Sequence, residues 1–383
     1  MQGKIKNLTE AAERIKVAVN SNERIIIYAD SDADGICSAV ILQDVLKNLG
    51  ATPVAVAFPN REEDGYGINQ KALEFLKPHA PALFITLDLG IGNIKEVEQA
   101  NALGFEVIII DHHQVLEKVP DAKVVVDPQQ AGDESGMQYL CNAGIVFTLA
   151  QELLPAMPEL LRRSLVELAA LATISDMVPQ ISENVQIISE GLRSLPGTVR
   201  PGLKAFLQLL PSADPQTHMK IIGAMNSAES LHFSNDAFKL LTLSDAAECR
   251  ELAEDLLSRV RLKQMRIEAI LQDVEQRISR KGNDPIIFEG DPAWKLILAG
   301  MVASIIAQKY QKPTFIFKKM DAESAGSVRS LKEGQNSVEA MKSCKDLLIT
   351  YGGHPKASGF RIKNENLEQF KARLEEYFKG TRT

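Results

Sequence analysis

A repeated alternation up to Asp127 constrains this chain most. Short apolar runs, "RIIIYAD", "TPVAVAF", "ALFITLD" and "FEVIIID", are rich in β-branched residues. The first three lead into helix-patterned stretches, "ICSAVILQDVLKNLG", "NQKALEFLK" and "IKEVEQANALG"; the fourth leads into a loop and a further run, "KVVVD". Runs that are apolar throughout need cover on both faces, and interleaved amphipathic helices supply it. The pattern therefore predicts an α/β fold on a parallel sheet.

Helical patterns dominate from about Asn142 to Leu210, and "LPSADPQTH" reads as a connector. A long, highly charged helical pattern from about Ser244 to Arg280 is too polar for a core helix and reads as a linker. After "KGNDP" the alternation resumes. "IIFEG", "KLILAG", "PTFIF" and "SAGSVRS" read as strands, and "MVASIIAQKY" and "ENLEQFKARLEEYF" as helices. The expected domains are 1–210, a connector and linker helix at 211–283, and a smaller α/β domain at 284–383.

Open α/β sheets place their ligands at the carboxyl ends of the strands. Three of the runs end there in acid: Asp30, Asp32 and Asp34 after the first, Asp88 after the third, and Asp111-His112-His113 after the fourth. Asp176 follows an apolar helix in "LATISDMVP". A lone strand-end Asp is ordinarily a helix cap, but this many carboxylates on one rim require a cation. Oxygen ligands with one or two imidazoles suit Mn²⁺, or Mg²⁺, better than a structural zinc site, which wants thiolates. Two such ions about 3.5–4 Å apart would clamp a phosphoryl group and activate a water.

Charge and composition narrow the class. The chain has 383 residues and a net charge of −7, which argues against a generally basic nucleic-acid binder. Residues 284–383 carry 16 basic and 12 acidic side chains, leaving the first 283 at −11. An acidic metal-holding half and a basic anion-holding half fit that division. No run of about 18 apolar residues is present, and "MQGKIKNLTEAAERIK" lacks the apolar core of a signal peptide. Cys37, Cys141, Cys249 and Cys344 are scattered without a CxxC pair, as in a reduced, cytoplasmic protein.

At these residues the sequence resembles the DHH phosphoesterase superfamily and, within it, the catalytic core of RecJ-like exonucleases. "DSDADG", "LDLGIGN", "DHHQ" and "ISDMVP" resemble its four motifs in order. "FPNREEDGYGIN" is similar to a RecJ segment, and "GSVRS" and "YGGHPKASGF" resemble the DHH-associated C-terminal domain. The resemblance implies a two-metal, Mn²⁺-preferring phosphodiesterase. Asp32, Asp34, Asp88, His112 and Asp176 match its metal ligands, and Asp30 stands where relatives carry His or Asp, as a ligand or beside the ligands. His113 matches the residue facing the scissile phosphate, and Asp111 is expected to orient His112. Arg61 is expected to hold a phosphate. In the second domain, Arg329, His354 and Lys356 would grip the chain of phosphates, with Gly352 and Gly353 admitting close backbone approach. His354 and Lys356, two apart, would point the same way on an extended segment.

The sequence also departs from the family. "GAMNSAESLH" keeps Asn226 but has Ser230 where RecJ enzymes carry Arg, and "PAWKLILAGMVAS" lacks an expected histidine. The expected function is a RecJ-type exonuclease acting on single-stranded DNA or RNA, with no membrane partner. The alternatives are a phosphodiesterase for short oligonucleotides or dinucleotides, favoured by the missing Arg, and a non-catalytic replication scaffold, opposed by the filled ligand positions.

Overall fold

The computed structural model describes residues 3–61, 65–115, 118–211, 214–282, 284–332 and 334–380. Glu62, Glu63 and Asp64 of the "REEDGYG" stretch lie outside the described residues. The chain divides into two compact units, Met1–Val260 and Arg261–Thr383.

The first unit opens with α1 (Leu8–Asn20), β1 (Ile25–Ala29), α2 (Ala33–Asn48), β2 (Ala55–Ala57), α3 (Gln70–Leu76), β3 (Ala82–Leu87), α4 (Ile94–Ala102), β4 (Phe105–Ile110) and β5 (Val124–Val126). The strands form an all-parallel sheet in the order β2-β1-β3-β4-β5. Alternate residues of β1 enter opposite cores. Ile25, Ile27 and Ala29 join residues of α1 and α2, while Ile26 and Tyr28 join residues of α3 and α4. This two-sided burial explains why the runs do not alternate. Each buried Ile or Val contributes about 1.5–3 kcal/mol.

Six helices and a short hairpin follow: α5 (Asn142–Leu153), α6 (Glu159–Ser175), α7 (Ser182–Ser194), α8 (Pro201–Leu209), α9 (Thr217–Met225), β6 (Ser230–Leu231), β7 (Ser234–Asn235) and α10 (Asp236–Thr242). They extend the core on the α1/α2 side through Leu165, Leu168, Phe206 and Met225, up to Leu256 and Leu257. Those last two belong to α11 (Ala246–Ser279), a 34-residue helix within which the division into units falls.

The second unit adds β8 (Ile287–Asp291), α12 (Leu296–Tyr310), β9 (Thr314–Lys319), β10 (Glu323–Arg329), α13 (Ser337–Lys342), β11 (Leu348–His354), β12 (Ala357–Lys363) and α14 (Leu367–Gly380). Its sheet runs β11-β12-β10-β9-β8, parallel only between β8 and β9. Phe315, Phe317, Phe360 and Phe370 fill one face; Val302, Ile306 and Ile316 fill the other.

Two expectations for this unit are corrected. "KLILAG" is not a strand: from Leu296 it is the first turn and more of α12, because Leu298, Val302 and Ile306 are buried at four-residue spacing. The two glycines of "YGGHPKASGF" lie in β11, paired Gly352 to Gly359 and Gly353 to Ser358. Lys356 sits in the turn between β11 and β12, so strand alternation does not relate it to His354.

Candidate metal centre

β1, β3 and β4 end side by side, and their next residues are Asp30, Asp88 and Asp111. Local geometry then sets each carboxylate. Asp32 caps α2: its Oδ1 accepts from the amides of Asp34 (3.0 Å) and Gly35 (3.1 Å). Gly35 is required because a Cβ there would lie 2.3 Å from the Asp30 carbonyl oxygen. Asp34 is buried against the start of α5, where its oxygens accept from the amides of Asn142 and Ala143, both at 2.7 Å. Asp88 adopts a left-handed backbone, φ 62°, which turns the chain at the rim.

His112 joins these carboxylates. Its Nε2 lies 3.2 Å from Asp88 Oδ1 and 3.9 Å from Asp34 Oδ2, and its Nδ1 lies 3.8 Å from Asp176 Oδ2. Three overlapping groups, Asp88/His112/His113, Asp34/His112/Asp176 and Asp30/Asp32/Asp88, each place one potential ligand atom per residue within 4.8 Å of the others. The structure thus brings together all six acids and histidines expected as ligands.

Burial and mutual repulsion make this cluster costly without a cation. Burial, then the charges of Asp176 and Asp32, pushes Asp34 up to about 8. Burial and the neighbouring carboxylates raise Asp88 well above the usual range, and burial and Asp32 bring Asp176 to about 6. Burial, with His113, lowers His112 to about 4, so its imidazole is neutral and offers a lone pair. Asp88 Oδ1 is buried and makes no hydrogen bond among the described residues despite its closeness to His112. A buried carboxylate oxygen with an open lone pair, among oxygen donors and a neutral imidazole, fits a hard divalent cation such as Mn²⁺ or Mg²⁺.

One expected role is corrected by the geometry. Asp111 does not reach the His112 ring. Its Oδ1 accepts from the amides of His112 (2.8 Å) and His113 (3.2 Å) and lies 2.8 Å from His113 Nδ1, while Oδ2 accepts from Ile91 N (3.0 Å). It therefore orients His113. Burial raises Asp111 and lowers His113, but their mutual hydrogen bond outweighs it, holding the acid down and the imidazole up. Arg61 is not free for phosphate in this structure. It bonds both oxygens of Asp30, with Nε to Oδ1 at 2.7 Å, and reaches Asp32 Oδ2 at 2.9 Å.

Several residues at the rim were not singled out from sequence. Tyr66 donates from Oη to the Asp88 carbonyl at 2.8 Å. The Asn142 amide, oriented to satisfy its neighbours, donates to the Ile110 carbonyl and accepts from Asp88 N, both at 2.9 Å. Asn226, the residue kept in "GAMNSAESLH", accepts from Ala33 N (2.8 Å) and donates to Ser175 Oγ (3.0 Å), tying α2 to the end of α6. Asp127, at the end of β5, is buried with Oδ2 unpartnered, and burial raises it to about 7. The strand-end rule that found Asp88 applies equally to Asp127.

The second unit holds the remaining candidates. Arg329 ends β10, with Nε donating to Ser304 Oγ (3.0 Å) and Nη1 to the Val328 carbonyl (2.9 Å). Strand register puts Arg329, Ala357 and His354 in one cross-strand row. His354 and Lys356 are exposed. Gly353 has a structural reason to be glycine: φ is 121° and a Cβ would meet the Ala357 carbonyl oxygen at 2.6 Å. Gly352 has none, since nothing lies within 4 Å of its added Cβ. Gly352 and Arg361 help line an open concavity of about 470 Å³.

Comparison with known proteins agrees with this architecture. The model for the DHH family, N-terminal domain, matches residues 24–173, and that for the DHHA1 domain matches residues 283–380. The crystal structure of an exonuclease RecJ bound to manganese superposes with a TM-score of 0.83 at 30% identity, covering 99% of this chain and 96% of that one. The chain belongs to the DHH family, in its RecJ-like branch. It is 32% identical to the single-stranded-DNA-specific exonuclease RecJ of Bacillus subtilis and 33% identical to that of Thermus thermophilus, over 99% and 97% of this chain. It covers 48% and 54% of those proteins, so it spans about half the length of the curated relatives it matches. RecJ from Thermus thermophilus in complex with Mn²⁺ aligns with a TM-score of 0.80 at 30% identity, over 99% of this chain and 56% of that one. No helix among the described residues is long and apolar enough to cross a membrane.

Proposed function

We propose that this chain is a Mn²⁺-dependent phosphodiesterase that hydrolyses single-stranded DNA from an end, with Mg²⁺ as an alternative cation. The observation that carries this reading is the buried, unpartnered Asp88 Oδ1 in a pocket of carboxylates around a neutral His112. Asp32, Asp34, Asp88, His112 and Asp176 would hold two cations, with Asp30 beside them. When bound, such a pair polarises the phosphoryl group and activates water. His113, raised in pKa and aligned by Asp111, donates to a non-bridging phosphate oxygen and stabilises charge in the transition state. In the second unit, Lys356 and Arg329 supply positive charge, and His354 a hydrogen-bonding ring, to phosphates away from the scissile bond, and the open space over Gly352 admits a backbone. The four buried, unpaired cysteines fit a reducing cytoplasm.

The relatives' names support single-stranded DNA as substrate. One observation favours a second reading, short oligonucleotides. Ser230, where an Arg is expected, is buried in the β6–β7 hairpin and offers no cation to a long strand. Hydrolysis of end-labelled single-stranded DNA and RNA ladders with Mn²⁺, and with EDTA as control, tests both. Processive shortening of long DNA supports the first reading. Turnover confined to fragments of a few nucleotides supports the second, and no Mn²⁺-dependent cleavage of either refutes both.

A further inference from the structure

Tyr66 has an aromatic ring that is half exposed, so packing alone does not account for its position. The chain around it is nonetheless firmly set. Gly65 and Gly67, on either side, have φ values of 80° and 93°, a region that costs a side-chain-bearing residue energy. A Cβ on Gly67 would lie 2.5 Å from Asn93 Oδ1. That amide also holds the next residue at both ends: Ile68 N donates to Asn93 Oδ1 (3.0 Å), and Asn93 Nδ2 donates to the Ile68 carbonyl (3.2 Å). "GYG" and the Asn of "LDLGIGN" are thus two halves of one device, and what it fixes in place is the phenol hydroxyl.

That hydroxyl makes two contacts. It lies 2.8 Å from the Asp88 carbonyl, which can only accept, so the phenol proton is committed there. It also lies 3.1 Å from His113 Nδ1 and 3.5 Å from Nε2. The nearer nitrogen already faces the Asp111 carboxylate at 2.8 Å. With its own proton spent, Oη can only accept from the ring. The Nδ1 hydrogen therefore points between Asp111 Oδ1 and Tyr66 Oη, and Nε2 is the nitrogen left to meet a substrate.

We propose that Tyr66 is a positioning residue for phosphodiester hydrolysis, acting through His113: its hydroxyl, anchored on the Asp88 main chain, fixes the imidazole with Nδ1 inward and Nε2 presented to the phosphate. This rests on the function proposed above. It adds a residue to the reaction and a reason for the "GYG" sequence.

Tyr66→Phe keeps the ring and removes only Oη. On a single-stranded DNA ten-mer with Mn²⁺, kcat is expected to fall about tenfold, the scale of losing alignment rather than a reacting group. KM and Mn²⁺ affinity should stay within about twofold, because Oη bonds the Asp88 main chain and His113 rather than the Asp88 carboxylate, and its removal changes no charge. In a His113→Ala background the same change should alter kcat by less than about twofold, the non-additivity of residues acting as one unit. An equal loss in both backgrounds, a rise in KM with kcat intact, or a tenfold loss of Mn²⁺ affinity overturns the inference. If the wild-type chain does not cleave DNA at all, the proposed function fails, and the inference is read separately in the metal-free protein. Imidazole ¹⁵N–¹H correlation should show the His113 Nδ1 hydrogen exchanging with solvent several-fold faster in Tyr66→Phe than in wild type, because it has lost one of its two acceptors. Equal exchange rates overturn it.

Discussion

At the scale of single residues, Asp88 and Arg61 define opposite sides of the same electrostatic balance. Asp88 presents a buried oxygen that nothing among the described residues satisfies, and replacing it with Asn gives that corner an uncharged group of the same shape. Mn²⁺-dependent hydrolysis should fall by more than about 100-fold, exceeding the effect of losing a residue that only supports a ligand. Thermal stability without metal should hold or rise, since a raised carboxyl is being removed; near-normal turnover would count against the centre. Arg61 does the reverse, standing as a fixed cation on Asp30 and Asp32. Asp30 is buried but the Arg61 guanidinium is partly exposed, and solvent screening at that end holds its pull on the site to about 0.5–1 kcal/mol. Arg61→Gln should therefore tighten Mn²⁺ binding by roughly two- to fivefold in titration calorimetry, although it removes a candidate phosphate contact. Weaker metal binding in that variant would show that Arg61 does not compete with the cation. The acids were legible in the sequence because Asp30, Asp88 and Asp111 directly follow apolar runs, with Asp32 and Asp34 close behind the first, and strand ends converge by topology. Tyr66 and Asn142 were not. Their contacts run to main-chain atoms of Asp88 and Ile110, distant in sequence, and no local spacing encodes them. Asp111 was assigned to the wrong histidine for a related reason: its neighbour in sequence has a ring turned away toward Asp34 and Asp88.

At the scale of elements, the strands of the first sheet were readable because two-sided burial leaves an unbroken apolar run. The same signal misled at "KLILAG". An apolar run at the head of a helix looks like a strand until the four-residue spacing of Leu298, Val302 and Ile306 is followed onward. "YGGHPKASGF" was half readable: its residues stand on an exposed hairpin, but the turn at Pro355–Lys356 separates Lys356 from the strand rows. Lys356 and Arg329 consequently differ. Arg329 is tied to Ser304 and the Val328 carbonyl, whereas Lys356 makes no ion pair among the described residues. Lys356→Ala should raise KM for a ten-mer by about three- to tenfold with little change in kcat, and should leave a dinucleotide nearly unaffected. The dependence of ten-mer affinity on salt should also become shallower, by about one counterion. A kcat loss equal on both substrates at unchanged KM would place Lys356 outside phosphate binding.

At the scale of the whole molecule, an acidic first unit carries a cluster that opposes its own folding unless protonated or metal-bound. Asp34 and Asp176 have folded-state values of about 8 and about 6, above the unfolded carboxylate value near 3.9. Between about pH 4 and 8 the folded state binds more protons than the unfolded one, so stability without metal falls as pH rises. Mn²⁺ binds the deprotonated groups and supplies the missing charge. The increase in Tm on adding Mn²⁺ should therefore be small at pH 5.5 and grow steadily to pH 8.5, measured by calorimetry against EDTA-treated protein. A metal-induced shift that is flat or declines with pH would contradict the assignment of these carboxylates.

The central claim is that the rim holds two cations, and anomalous diffraction from Mn²⁺-soaked crystals at the manganese edge tests it most directly. The account predicts two peaks about 3.5–4 Å apart, one within ligand distance of Asp88 and His112, both lost in Asp88→Asn/His112→Ala. A rim without anomalous density, with manganese bound only elsewhere on the surface, would contradict it.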